Sequence, residues 1–208
     1  MELLIDAIKD LQNNDINDVI KERIHDFREI RKQSIDIIFK ELCFCIMTAN
    51  CSAERCIKVH ETIDDGFLNL SENQLAKAFK KNKYRFPNIR SRYIVEARQY
   101  KKDLELMIRG NIGTNELREW LVHSIKGLGY KEASHFLRNI GYADYAIIDF
   151  HIIDTLVKFG IIKKPKTLTK KKYLEIENIL RLIVKNLNLN LDELDLFLWY
   201  LETGKVLK

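Results

Sequence analysis

No stretch of the 208-residue sequence approaches the roughly 18 consecutive apolar residues of a membrane-spanning helix. The opening residues, "MELLIDAIKDLQNND", are acidic and polar, where a secretory leader would be basic and then apolar. Together these absences predict an intracellular protein, in the cytoplasm or nucleoid, with no membrane association. No set of runs alternates apolar and polar residues with period two, which argues against a sheet and for an all-α fold. Metal-binding signatures are missing too. The four cysteines, Cys43, Cys45, Cys51 and Cys56, are spaced C-x-C-x5-C-x4-C, which matches neither zinc sites nor ferredoxin-type clusters. Their segment, "FKELCFCIMTANC", reads as a buried helix in which a free thiol packs as a small hydrophobe. Disulfides are not expected in a reducing compartment. There is no internal repeat, low-complexity tract or evident linker.

What is present is ordinary globular composition, 46% hydrophobic, in a chain long enough for one large domain or two small ones. The net charge is +5. Lysine and arginine cluster in "KKNKYRFPNIRSR" (80–92) and "KKPKTLTKKK" (163–172), which suits a polyanionic partner or a solvated surface equally. Helical periodicity dominates. Ile16, Ile20, Ile24, Phe27 and Ile30 form one apolar stripe. Further helices are predicted over 34–50, over 88–109 after Pro87, over 115–124, over 170–187 behind Thr169, and from Asn190 to Gly204. "SENQ" at 71–74 is a capping-box pattern. The total is about ten helices with short connections.

Chemistry concentrates in "IKGLGYKEASHFLRNIGYADYAIIDFHI", residues 125–152. "GLG" at 127–129 lies between two helical patterns. Glycine permits positive φ and a close approach, and a tight turn before a helix aims backbone N–H groups at a phosphate. The same glycines also fit a plain steric connection between helices. Lys131 sits in the first turn of the second helix, where a cation is electrostatically unfavourable. An environment that disfavours the ammonium favours the neutral amine, the nucleophile of Schiff-base chemistry. Asp149 closes the apolar "YAII" and precedes "HIIDTL", as a helix N-cap does. A cap alone explains Asp149; the aspartate, the lysine and the hairpin together favour a functional reading.

These residues resemble the helix-hairpin-helix Gly/Pro-Asp superfamily of base-excision DNA glycosylases. That pattern has a glycine hairpin, a lysine two residues later, and an aspartate at about the distance seen here, where Asp149 stands 18 positions beyond Lys131. Within the superfamily, 125–152 and the closing "ELDLFLWYLETGKVLK" (193–208) are most similar to the short 8-oxoguanine DNA glycosylases of archaeal type, and the resemblance spans the chain. Three features depart from the wider pattern. Lys126 replaces a common proline, Phe150 stands where the pattern expects a basic residue, and the C-terminal iron–sulfur cysteines of one branch are missing. No cofactor is therefore expected.

The resemblance implies two helical subdomains with the helix-hairpin-helix motif at the cleft between them. One subdomain spans approximately 34–125, the other 1–33 with 142–208, and the motif spans 115–141, all within one catalytic unit acting as a monomer on damaged double-stranded DNA. It implies a damaged nucleotide flipped out of the duplex, Lys131 attacking C1′, and Asp149 stabilising the oxocarbenium charge. Gly127, Gly129 and His151 would hold backbone phosphates, while Asn50 would enter the duplex beside the base left unpaired. Phe86 and Trp199 would stack on the flipped base, and Lys208 would read its polar edge. His135 is expected to be structural. The competing readings are a glycosylase for oxidised pyrimidines and a non-catalytic helix-hairpin-helix module.

Overall fold

The protein is described by a computed structural model covering residues 1–110 and 112–208. The regular secondary structure of the described residues is helical, with no strand. In chain order the helices are α1 (Glu2–Gln12), α2 (Ile16–Lys32), α3 (Ile35–Thr48), α4 (Ala53–Ile63), α5 (Gly66–Asn69), α6 (Glu72–Lys81), α7 (Pro87–Ala97), α8 (Lys101–Arg109), α9 (Thr114–Ser124), α10 (Tyr130–Asn139), α11 (Phe150–Lys158), α12 (Lys170–Leu187) and α13 (Leu191–Thr203). The chain forms two compact units. One comprises 1–29 and 137–207, the other 30–136 and 208.

The second unit is built around α3. Ser34 caps it, accepting from Ile37 N, and ten of its residues are buried, from Ile38 to Thr48. Helices α4, α5, α7 and α8 pack around it. Each fully buried Leu, Ile or Phe contributes roughly 1.5–3 kcal/mol, so a helix buried on nearly every side is the natural centre. The capping box at 71–74 forms as the sequence predicts: Ser71 N donates to Gln74 Oε1 (3.0 Å) and Gln74 N to Ser71 Oγ (3.4 Å). Pro87 occupies the first turn of α7, where its missing N–H costs nothing. The single helix expected over 88–109 is instead α7, a 3-10 turn over Arg98–Tyr100, and α8. The guanidinium of Arg98 donates to the carbonyls of Phe67 (2.9 Å) and Gly66 (3.4 Å). A tertiary anchor thus sits where the helix tightens.

In the first unit, α1, α11, α12 and α13 pack on one another. Helix α12 has the predicted limits, with the Thr169 hydroxyl accepting from Lys172 N at 3.3 Å. Helix α13 starts at the predicted position, on an Asn190/Glu193 capping box, and ends at Gly204 in a left-handed conformation.

Candidate active site and nucleic-acid interface

In the second unit, α9, the turn and the part of α10 up to Phe136 form the hairpin. The two glycines have different reasons to be glycine. Gly127 has φ +89°, and a Cβ there would meet Tyr93 Cδ2 at 2.6 Å. The fold itself requires it. Gly129 is exposed, its φ is not positive, and a Cβ would meet only the mobile end of the Glu132 side chain, at 3.2 Å. Space on the outer side, rather than backbone strain, distinguishes this position. Its N–H donates to Glu132 Oε2 at 3.2 Å. That carboxylate satisfies the exposed amide at the α10 N-terminus, where an anion is favoured. Lys126, beside the turn, is exposed and pairs with Glu96 at 2.9 Å.

Lys131 is the second residue of α10. Its side chain retains 22% exposure, and it meets the Glu132 carboxylate only loosely, at 3.8 Å. Arg118 of α9 donates to Ser134 Oγ at 3.3 Å and lies over the Tyr130 ring, and Tyr130 donates to Glu119. These contacts hold α10 against α9 while leaving the lysine accessible. His135 is buried, edge-on to Phe44 at 5.7 Å, as befits a core residue.

The loop after α3 carries Asn50. The residue closing the helix is Ala49, extended, and Asn50 follows it with φ +59°, exposed to solvent. Asparagine is among the residues that best tolerate that region. Arg90 of α7 donates to the Ala49 carbonyl at 3.2 Å, and its guanidinium lies 5.8 Å from the Phe86 ring centre and 5.7 Å from that of Tyr93. Phe86 is half-buried just before α7, with Arg85 also over its ring at 4.9 Å. Cys43, Cys45 and Cys56 are buried, as expected of core thiols, whereas Cys51 is partly exposed. A hydrogen bond with Cys56 outweighs partial burial and brings Cys51 down to about 7, while Cys56 is raised.

Asp149 and the residues around it belong to the first unit. The carboxylate Oδ1 accepts from Ile152 N at 3.0 Å, so Asp149 is the N-cap of α11. The extended segment leading to it is splinted by α12. Tyr173 Oη donates to the Ala146 carbonyl (2.6 Å) and accepts from Ile148 N (3.2 Å), and Glu177 Oε2 accepts from Ala146 N (3.2 Å). Tyr173 and Glu177 are buried and lie one turn apart on the same face. Sequence reasoning missed both. The available signal was a tyrosine and a glutamate at i, i+4 on an otherwise apolar face. His151 lies between the Phe150 ring (3.9 Å) and the edge of Trp199 (4.8 Å). Phe150, in place of the expected basic residue, is 66% exposed. The Trp199 indole N–H is buried without an acceptor among the described residues.

Lys208 belongs with the second unit. Its ammonium donates to Glu41 at 2.6 Å and lies 4.6 Å from the Phe44 ring centre. Among the described residues, no group of three or more His, Cys, Asp or Glu side chains could hold a metal ion, and no helix is long and apolar enough to cross a membrane.

Residues 20–189 match the family model of the 8-oxoguanine DNA glycosylases. The chain belongs to that family. It is 50% identical to the 8-oxoguanine DNA glycosylase/AP lyase of Methanocaldococcus jannaschii over 99% of this chain and all of that one. It is 38% identical to the enzyme of that name from Aquifex aeolicus, over 98% of this chain and 100% of that one. The fold matches the M. jannaschii enzyme in complex with 15mer DNA containing 8-oxoguanine, with a TM-score of 0.95 at 49% identity, covering 99% of this chain and 100% of that one. It also matches the 8-oxoguanine DNA glycosylase of Thermotoga maritima, with a TM-score of 0.93 at 36% identity, covering 100% of this chain and 99% of that one.

For a glycosylase of this family the two hairpin glycines make separable predictions. Gly127→Val should lower the melting temperature, because a β-branched residue is forced into a left-handed conformation against Tyr93. Gly129→Val should melt like wild type yet bind damaged and undamaged duplexes less tightly to the same degree, since phosphate contacts carry no base information. Fluorescence anisotropy with the two duplexes checks this. Loss confined to the damaged duplex would assign Gly129 to base recognition instead.

Proposed function

We infer that this chain excises 8-oxoguanine from duplex DNA and then cleaves the strand at the resulting abasic site, acting as a monomer. The observation that carries this reading is a partly exposed lysine, Lys131, directly behind a glycine hairpin, in a chain of the 8-oxoguanine DNA glycosylase family. The amine of Lys131 attacks C1′ of the flipped nucleotide. The N–C1′ bond forms as the C1′–base bond breaks, and the base departs with the electron pair and takes a proton. Opening of the sugar ring gives an imine between Lys131 and C1′. Loss of a C2′ proton then expels the 3′ phosphate, and water releases the lysine.

Asp149 contributes negative charge where positive charge develops on the sugar. One of its carboxylate oxygens is committed to the α11 cap, which fixes the group's orientation. Backbone amides around Gly127 and Gly129 hold one phosphate and His151 another, and the exposed, left-handed Asn50 enters the duplex. Phe86 and Trp199 supply faces for a purine to stack on. Lys208 presents an ammonium to the polar edge of 8-oxoguanine.

Single-turnover excision with borohydride trapping, on duplexes carrying either 8-oxoguanine or thymine glycol, tests the reading. Faster excision of 8-oxoguanine, with a trapped adduct, is expected. Preference for thymine glycol would make this an enzyme for oxidised pyrimidines. Binding without a trapped adduct on either duplex would leave a non-catalytic module.

A further inference from the structure

A carboxylate inside the most buried helix of the protein needs a reason. Glu41 sits in the middle of α3 between Lys40 and Leu42, and its side chain is only 4% exposed. A buried anion is costly unless it is paired, and here the Lys208 ammonium donates to it at 2.6 Å. Three positions on, along the same face of α3, Phe44 places its ring 4.6 Å beneath that ammonium. His60 stands edge-on to Phe44 at 5.6 Å, lies against Phe67 at 5.3 Å, and donates through Nε2 to the Lys40 carbonyl at 2.8 Å. Burial, and then the nearby Lys208 charge, hold His60 below its usual pKa, so it does not compete for Glu41 as a second cation.

Lysine has more side-chain freedom to lose than almost any other residue. Lys208 nevertheless keeps only 22% side-chain exposure. Ion pairs this buried add little stability over an apolar pair of the same size. What such a pair provides is a fixed position.

We propose that Glu41 is a positioning residue: its carboxylate, with the Phe44 ring, fixes the ammonium of Lys208. The consequence for base recognition rests on the role given to Lys208 above. An ammonium has three donors, and Glu41 takes one. The geometry of that bond sets where the others point, so Glu41 shapes discrimination of the base without touching it.

The full-length chain, Glu41→Gln, Lys208→Met and the double variant decide this. The first readout is release of the terminal lysine by carboxypeptidase B. The second is the ratio of 8-oxoguanine excision to cleavage at a preformed abasic site, which has no base to read. Losing one charge-assisted hydrogen bond predicts release from Glu41→Gln roughly tenfold or more faster than from wild type. The excision ratio should fall by a similar factor, about tenfold, toward that of Lys208→Met. The double variant should be no worse than Lys208→Met alone.

Equal release from wild type and Glu41→Gln overturns the proposal whatever Lys208 does. So does faster release with an unchanged ratio while Lys208→Met loses discrimination. A wild-type ratio in Lys208→Met overturns the base-reading role of Lys208 and not the anchoring, which the release rates then decide alone. Should Glu41→Gln melt below the assay temperature, Glu41→Asp, one methylene shorter but still charged, takes its place with the same expectation.

Discussion

Lys131→Gln should abolish both base release and the borohydride-trapped adduct while leaving affinity for duplex DNA nearly unchanged. The two effects separate because the side chain does little else. It is partly exposed and meets the Glu132 carboxylate at 3.8 Å, a contact of a kind that contributes little to stability. Helix α10 is held by Arg118, Tyr130 and Ser134 instead, so glutamine at position 131 leaves the hairpin in place. An amide cannot form an imine, so the covalent route closes entirely rather than slowing. The measurement is single-turnover excision at saturating enzyme, with trapping run in parallel and anisotropy for binding. An adduct of normal yield would move the nucleophile to another lysine, with Lys126 and Lys208 the next to replace.

Asp149→Asn should slow single-turnover excision by about 10²–10³-fold, the range for removing one preorganised electrostatic group, with little change in the melting curve. Asparagine accepts from Ile152 N as aspartate does and caps helices about equally well. The substitution therefore removes charge while keeping shape and cap. The splint from Tyr173 and Glu177 to the 146–148 backbone is untouched, so the asparagine should occupy the aspartate's place. A rate within about threefold of wild type, well short of that range, would reduce Asp149 to a helix cap.

The sequence revealed what local rules govern. The ends of α12, the Ser71/Gln74 and Asn190/Glu193 boxes and the left-handed Gly204 follow from capping chemistry within a few residues. Asp149 is legible for the same reason, being both a cap and a charge at a fixed spacing from Lys131. Long-range contacts stayed hidden. No proline or glycine marks the interruption at Arg98–Tyr100, where Arg98 reaches carbonyls 31 and 32 residues away. Tyr173 and Glu177 act on backbone 25–31 positions distant. Glu41 finds its partner 167 positions along the chain, and only its oddity, an acid in an apolar helix, could have drawn notice. The two hairpin glycines look alike in sequence, and only the left-handed backbone at Gly127 and the proximity of Tyr93 separate them.

Arg90 gives the second unit a property that none of its parts has alone. One guanidinium donates beside Asn50, lies near the rings of Phe86 and Tyr93, and comes within 3.4 Å of where a Cβ on Gly127 would stand. The loop assigned to the duplex, the ring assigned to the base and the turn assigned to the phosphate therefore share one side chain. Substitutions at positions 50, 86 and 127 should show epistasis, their effects failing to add because each is transmitted through the same arginine. Evolution along this surface would then proceed by compensated sets rather than by independent single steps.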